Sequence, residues 1–519
     1  VNVLVPPPTG QPPLVAVIVD NHVVGDSRVQ KCAVAAAEAG YRVVLVGRAP
    51  VVPDSFTIGG PGATAEVRRI EAPFRLLALS RRAPRGRWRY PLAYPSADHC
   101  ARQSLQLAAL AADLTARKIV VRRTAAAGGP SRVRLAALYA ETARWRARRT
   151  WHRARALSLR WMTDRVKASD SVGYRFGTRL RSLLRGRRAW RALDPVLLDV
   201  ELSFGPELDA LAPDLIHAND FRMSGVAVRA AARAAAQGRR VPVVYDVHES
   251  VAGLVSKSLR WRTANVGHEA EYIRQVDEVV TVGDRLARML QEGYRLPRLP
   301  RVVLNAPQFE PDAVPLFGGV RSTCGLGPDT PLLVYCGSTA PQRGLATAVD
   351  GLAHLPGAHL ALVVANPMAE ERLVERAERL GVGDRLHLLG YVPQDEVVPF
   401  LRSATAGVIP IHHVPNHEIA LITKYLEYAH AGLPIVTSDT ETMGGRTRDL
   451  GNGEVFAAED VGDYARAVRA VLADPQRYRA AYGQHPDVLR AWSWETQKTV
   501  LLQVYADALR SVAQPVGVG

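Results

Sequence analysis

The apolar positions of this chain fall into short unbroken runs, each followed by a polar or glycine-bearing loop and then by a segment whose apolar residues recur at helical spacing. The run LVAVIV (14–19), the loop to Asp26, the stretch SRVQKCAVAAAEAG and the run YRVVLVG ending at Gly47 predict a strand, a helix and a second strand. Asp26 or Ser27 is placed to cap that helix and Gly40 to close it. Between about 50 and 205 the alternation lapses into sequence dominated by Arg, Ala and Trp, which reads as a largely helical insertion. It resumes with PDLIHAND (213–220), a helix to about 236, VPVVYDVHES (241–250), the helix HEAEYIRQ, the strand DEVVTV (277–282), the helix GDRLARMLQEG and RVVLNAP. The proline- and glycine-containing stretch 307–331 reads as a linker. A second series runs from PLLVYCGS (331–338) through HLALVVA (359–365), RLHLLGYV (385–392), TAGVIPI, the helix TKYLEYAHAG and PIVTSD to a last pair of helical segments. Two successive series of similar size predict an α/β fold of two doubly wound domains, with their cleft as the default ligand site.

Composition sharpens this picture in three places. With 519 residues, 47% of them apolar, the chain can bury two or three cores without disulfides or metals. Cys32, Cys100, Cys324 and Cys336 are far apart and form no CxxC pair, which predicts a reducing compartment. No run approaches the roughly 20 apolar residues of a membrane span, and the start VNVLVPPPTGQPP lacks the basic and apolar parts of a secretion signal; the expected location is the cytoplasm. The net charge of +16 is concentrated: residues 144–191 hold sixteen Lys or Arg against Asp164 and Asp170, a local +14, so the remainder is nearly neutral.

In open parallel sheets ligands bind beyond the carboxyl ends of strands, and the residues there form a short set. Gly25 lies in the loop Asp20 to Asp26 after the first strand, Asp220 follows DLIHA, and His248 follows VVYDV. Gly337 and Ser338 follow LLVYC, and Thr423 opens the helix beyond GVIPI. Thr423 is placed to cap that helix, with Gly432 and Pro434 ending it. Lys424 and Glu427, three apart, share a face at its first turn. A cation beside a helix start suits a diphosphate, and a carboxylate one turn on can accept two hydrogen bonds from vicinal ribose hydroxyls. The same spacing also describes an ordinary surface ion pair. No D-x-D, HExxH or clustered His and Cys offers a metal a seat; GxSxG, a Walker loop and GxGxxG are absent as well.

The segment TKYLEYAHAGLPIV (423–436) resembles the donor-binding motif of glycosyltransferase family 4 in the variant K-x-x-E-Y-x-x-x-G-x-P. That resemblance gives Glu427 the role of holding the nucleotide ribose. VYCGSTAPQRGLATAVDGL (334–352) is similar to the family's strand, glycine loop and basic residue followed by glycine, so Gly337 permits close approach and Arg343 clamps the diphosphate. Ser338 stands where many members have an arginine, leaving Lys424 to supply the charge. The family's fuller pattern carries another glutamate eight positions before Glu427, where this chain has Ile419, with Glu418 one place out of register. DSRVQKCAVAAAEAGYRVVLVG, PDLIHAND, VVYDVHES, VVLNAP, LHLLGYVPQDEV, GNGEVFAAEDV and the closing WSWETQKTVLLQVYADAL extend the resemblance over most of the chain outside the insertion.

The resemblance implies the GT-B fold: an acceptor-side Rossmann-like domain over 13–308 with the basic insertion at about 75–205, a nucleotide-sugar-binding domain over 309–495, and a last helix, 496–512, returning to the first. It puts the backbone at Tyr391 and Val392 against the base and His248 near the donor sugar and acceptor, with Asp220 as its neighbour. It further implies sugar transfer with retention by front-face attack; the expected acceptor is a glycan or a lipid-linked molecule, and, with no metal motif present, neither a metal nor a cofactor is expected. A non-catalytic protein that kept the fold and a nucleotide-sugar epimerase are the alternatives, motivated for the former by Ser338 and Ile419. Within the insertion, Trp145, Trp151, Trp161 and Trp190 are half of the eight tryptophans, and Leu135, Leu138, Tyr139 and Trp145 recur at helical spacing. Basic helices with interfacial aromatics suit an anionic membrane surface at the inner face of the membrane, whereas no motif supports nucleic acid as a partner.

Overall fold

The structure, a computed structural model, describes residues 10–77, 92–95, 97–126, 132–167, 172–255, 258–308, 314–315 and 318–513. The start of the chain to Thr9, Asp170, parts of the stretch read as a linker (309–313 and 316–317), and the side chains of Leu135 and Trp161 lie outside the described residues.

The first sheet has eight strands: β1 (Leu14–Val19), β2 (Arg42–Arg48), β3 (Asp54–Gly60), β4 (Ala63–Ile70), β5 (Leu215–Asn219), β6 (Val243–Val247), β7 (Glu278–Thr281) and β8 (Arg301–Val302). Their order is β3-β4-β2-β1-β5-β6-β7-β8, parallel except for β3, which runs antiparallel to β4. The central strands β1, β5 and β6 are buried at every residue; β1 therefore reads as a continuous apolar run, whereas β5 and β6 carry the buried polar residues His217, Asn219 and Asp246 among their apolar ones. The β3–β4 hairpin corrects the reading of everything after residue 50 as a helical insertion. Its edge strand is largely exposed and ends in glycines, and Gly59, at φ 108, turns so tightly that a Cβ would lie 2.3 Å from the Ala63 carbonyl oxygen.

Helix Ser27–Glu38 covers one face of this sheet with Val29, Cys32, Ala33 and Ala36, and the Asp26 carboxylate caps it by accepting from Val29 N–H at 3.3 Å. The long helix Trp494–Ala513 buries Leu501, Val504, Tyr505 and Ala508 in the same core, where Tyr505 Oη meets His217 Nδ1 at 2.6 Å.

The second sheet is parallel throughout, with β9 (Leu332–Cys336), β10 (His359–Val363), β11 (Leu386–Leu389), β12 (Ala406–Ile409), β13 (Ile435–Ser438) and β14 (Gly453–Phe456) in the order β11-β10-β9-β12-β13-β14. One face packs Tyr425, Leu426 and Tyr428, the other Leu345, Ala348 and Tyr464. The strand order reverses direction between β9 and β12, so the loops after these strands splay apart and open a crevice at their carboxyl ends.

Residues 73–199, with 258–264, form a separate compact unit, whereas both sheets belong to the other unit. The separate unit is built on helices Ala97–Ala126, Arg132–Lys167 and Val172–Arg185. Its inner contacts include Trp145 Nε1–H donating to Leu107 O at 2.9 Å, and the Arg155 guanidinium 4.1 Å above the Tyr94 ring. Trp190 is buried, at 1% exposure. Two of the tryptophans expected at an interface therefore serve the helical core instead, and Trp151, half exposed, does not. No helix among the described residues is long and apolar enough to cross a membrane.

Candidate active site

The carboxyl ends of β1 and β6 face those of β9, β10 and β11 across a cavity of about 620 Å³. Gly25, His248, Gly337, Ser338, Arg343, Tyr391, Val392, Thr423, Lys424 and Glu427 all line it, so ten of the eleven expected site residues come together. Its size suits a ligand of nucleotide dimensions.

The floor is electropositive. Lys424 is buried, its Nζ has no hydrogen-bond partner among the described residues, and it lies 3.4 Å from the centroid of the Tyr335 ring. Burial, reinforced by the Arg343 guanidinium, pushes the Lys424 ammonium well below its ordinary value. Gly337, at φ 125, brings bare backbone over it; a Cβ there would stand 3.3 Å from the ammonium nitrogen. Arg343 closes a short turn, Pro341–Arg343, with its Nε also lacking a partner among the described residues. The next residue, Gly344, adopts φ 70 and a Cβ would meet Pro410 O at 1.6 Å, so only glycine lets the chain place Arg343 here. The two cations leave room for a doubly charged anion to complete their hydrogen bonds.

Glu427 lies one turn along the helix Thr423–His430, on the same wall. Burial raises its pKa against the opposing pull of Lys31 and Lys424. Lys31 reaches in from the helix Ser27–Glu38; its ammonium donates to Ala306 O at 2.5 Å, and burial lowers its pKa to about 8. Thr423 differs from expectation: it is the first helical residue rather than the cap, and its Oγ1 accepts from Asn305 Nδ2 at 3.0 Å. The helix start is thereby tied to the loop after β8 instead of capping itself. Lys31 and Asn305 were not singled out by the sequence, because each acts from the opposite lobe.

His248, 24% exposed at its side chain, stands at the end of β6. Beneath it, Asp246 receives two 2.8 Å hydrogen bonds from Arg28 and lies 3.7 Å from His248 Nε2. Although burial raises the Asp246 pKa, Arg28 and the two neighbouring histidines hold its carboxyl well below the usual carboxylate range. Burial alone would lower the His248 pKa, but the Asp246 carboxylate overrides it and raises it. Arg28 and Asp246 were missed as functional candidates, although both lie inside segments that carry the family resemblance, DSRVQK and YDVHES. Asp220 is the site candidate that does not line this cavity: it caps helix Phe221–Ala236 by accepting from Phe221 N–H at 2.7 Å, at φ 73, and burial raises its pKa.

A second cavity of about 240 Å³ shares His248, Val282, Arg343, Ala420 and Ile422 with the first and adds Glu249, Gln342 and Asn416. The Asn416 amide clasps the loop after β6, accepting from Ser250 N–H at 3.0 Å and donating to Ser250 O at 3.1 Å. Ile419 is on this wall; Glu418 turns away, accepting from Glu441 N–H at 2.9 Å and meeting His413 Nδ1 at 2.6 Å. Glu418 therefore does not restore the missing glutamate. Among the described residues no group of three or more His, Cys, Asp or Glu is arranged to hold a metal ion.

Two family models match the chain: "Glycosyl transferases group 1" over 330–474 and "Glycosyltransferase Family 4" over 169–306, together more than half of it. The chain belongs to glycosyltransferase family 4. This family 4 glycosyltransferase is 27% identical over 314 residues to a glycogen synthase of Mycobacterium tuberculosis, covering 58% of this chain and 71% of that one. It is 25% identical over 320 residues to a D-inositol 3-phosphate glycosyltransferase of Streptomyces bingchenggensis, covering 57% and 67%. Its architecture matches sucrose-phosphate synthase from Thermosynechococcus elongatus with a TM-score of 0.60 at 17% identity, covering 96% of this chain and all of that one. The likeness establishes the GT-B fold, and the enzyme is a GT-B glycosyltransferase with a nucleotide-sugar donor.

Proposed function

We propose that the enzyme transfers a hexose or related sugar from a nucleoside diphosphate, with retention and without a metal, to a glycan or lipid-linked acceptor. The observation that carries the reading is the buried ammonium of Lys424, unpartnered among the described residues and placed under Gly337 beside Arg343. A diphosphate at that point supplies the missing acceptor atoms, and the two cations take over the charge neutralisation that a metal performs elsewhere. Glu427 then accepts from the ribose hydroxyls, and the backbone at Tyr391 and Val392 borders the base.

The donor sugar falls where the two cavities join, between His248 and Arg343, and the acceptor enters through the smaller one. Its lining supports a sugar ring: Leu254, Val414 and Ile419 offer apolar faces, and Glu249, Gln342 and Asn416 offer polar atoms. In front-face transfer the bond from the anomeric carbon to the diphosphate breaks and the acceptor oxygen bonds to the same face. The acceptor proton passes to the departing diphosphate oxygen. His248, with its pKa raised by Asp246, supports charge at the sugar from the opposite lobe. Asp220 takes no direct part; it fixes the helix behind His248.

The test is a calorimetric and thermal-shift screen against UDP, GDP, ADP, TDP and their common sugars in the presence of a chelator. One nucleotide is expected to stabilise the enzyme, and Glu427→Ala to abolish that effect without unfolding the protein. Stabilisation that requires a divalent cation defeats the metal-free reading. Affinity unchanged in Glu427→Ala defeats the placement of the nucleotide. Product anomers read by NMR decide retention.

A further inference from the structure

A helix on a globular surface normally buries its apolar stripe and leaves its polar one in water. Helix Val172–Arg185 does the reverse. Phe176, Leu180, Leu183 and Leu184 are 67%, 43%, 84% and 74% exposed, whereas Thr178 is 2% exposed. With 3.6 residues per turn the four apolar side chains share one arc of roughly 100°, bordered by Arg179 on one side and Arg181 on the other, with Thr178 facing away from it. From Val172 to Leu193 the sequence holds seven arginines and no Asp or Glu.

An outward apolar arc inside a basic rim narrows the occupant to one class. A second copy of the chain would bring one arginine rim against another, a like-charge contact that opposes the apolar gain. Nucleic acid would satisfy the arginines but leave the four apolar side chains facing phosphates and water. An anionic bilayer surface satisfies both: headgroup phosphates pair with the guanidinium groups while the apolar chains enter the acyl boundary.

We propose that helix Val172–Arg185 lies in the plane of an anionic lipid surface and anchors the enzyme there by inserting Phe176, Leu180, Leu183 and Leu184. The anchor differs from the tryptophan-based surface expected for 144–191, since Trp190 is buried and Trp145 donates its indole N–H to Leu107 O. It stands apart from the transfer reaction, because none of its residues lines either cavity.

The test is co-sedimentation of the 519-residue chain with vesicles of phosphatidylcholine alone and with phosphatidylglycerol added. The expected result is binding to the anionic vesicles that is weak on phosphatidylcholine and falls with salt. The pair Leu183→Ser/Leu184→Ser is expected to reduce that binding at least about tenfold, since each lost apolar side chain removes insertion area. Arg181→Ser is expected to reduce it about fivefold on anionic vesicles only. All these positions are exposed, so circular dichroism and melting temperature should match wild type; a variant that melts earlier is replaced by Phe176→Ser in the same assay. Wild type failing to sediment, or both serine variants binding as wild type does, overturns the proposal. A dimer that the serine pair dissolves overturns it in favour of self-association.

Discussion

Lys424→Met separates the cost of the buried ammonium from its use. In the donor-free enzyme the ammonium has no hydrogen-bond acceptor among the described residues, and its favourable neighbours include the Tyr335 ring at 3.4 Å and the Glu427 carboxylate. Burying a charge without a full set of partners costs several kcal/mol, and a desolvated cation–π contact returns about 2 kcal/mol. Methionine keeps the apolar stem and removes both, so the variant should be more stable than wild type by about 1–2 kcal/mol. Donor binding should move the other way: losing one hydrogen bond from a charged donor to the diphosphate costs about 1.5–3 kcal/mol, a roughly ten- to 150-fold weaker dissociation constant. An ordinary structural lysine would not give this opposition between stability and affinity. The sign of the pH dependence follows from the same burial. Because the folded enzyme holds the Lys424 pKa well below 10.5, the unfolded chain binds more protons between those values, and wild-type stability rises with pH through that window. The advantage of Lys424→Met is therefore largest on the acid side and shrinks as pH rises toward 10.5. An arriving diphosphate draws the proton back, so binding above the depressed value should take up a proton. The assays are melting temperature across pH for both proteins, and calorimetry of the stabilising nucleotide in two buffers of different ionisation enthalpy. A variant less stable than wild type, or one that binds the nucleotide equally well without any change in proton uptake, refutes the argument.

Two further substitutions probe what holds the cations and His248 in place. Gly344→Ala forces a Cβ into Pro410 O at a positive φ; a loss of about 3 kcal/mol or more and a fall in kcat/KM are expected, and an unchanged melting temperature would show that the turn before Gly344 is soft. Asp246→Asn removes the partner of the buried Arg28 guanidinium; it should destabilise by about 3–5 kcal/mol and lower the His248 pKa, followed by NMR titration of the imidazole. Since the native Asp246 carboxyl sits well below 3.8, its contribution is present above 3.8 and is lost as pH falls through the native value. The gap between wild type and Asp246→Asn should close in strong acid, and a constant gap would count against the pair as its source.

The sequence disclosed the fold where burial was complete and hid it where burial was partial. β1 and β9 appear as apolar runs, and β5 and β6 as mainly apolar ones interrupted by His217, Asn219 and Asp246, because nearly every residue in them is covered. The β3–β4 hairpin did not appear, since β3 lies at an edge with most side chains in solvent and its register depends on Gly59 rather than on apolar alternation. Site residues that follow a strand on their own lobe were legible: Gly337, Arg343, Lys424, Glu427 and His248 all line the same cavity. Asp220 shares the strand-end position but not the role, because its side chain is occupied in capping the helix it precedes. Position alone cannot distinguish a carboxylate that faces a ligand from one that closes a helix.

The residues that stayed hidden share one property: their partners are remote in sequence. Arg28 and Asp246 meet across the first sheet, Lys31 approaches Glu427 from another lobe, and Asn305 binds Thr423 where the helix was expected to cap itself. Each supplies a charge or hydrogen bond that only the folded chain brings within reach. The electrostatics of the cleft also depend on them. Without Lys31 and Lys424 nearby, burial would raise the Glu427 pKa further, toward a neutral acid that could donate to one ribose hydroxyl but not accept from two. The K-x-x-E spacing shows only one of the two cations that oppose this rise, Lys424 on the same helix; the other, Lys31, is carried by the helix following β1 and reaches Glu427 only in the folded chain.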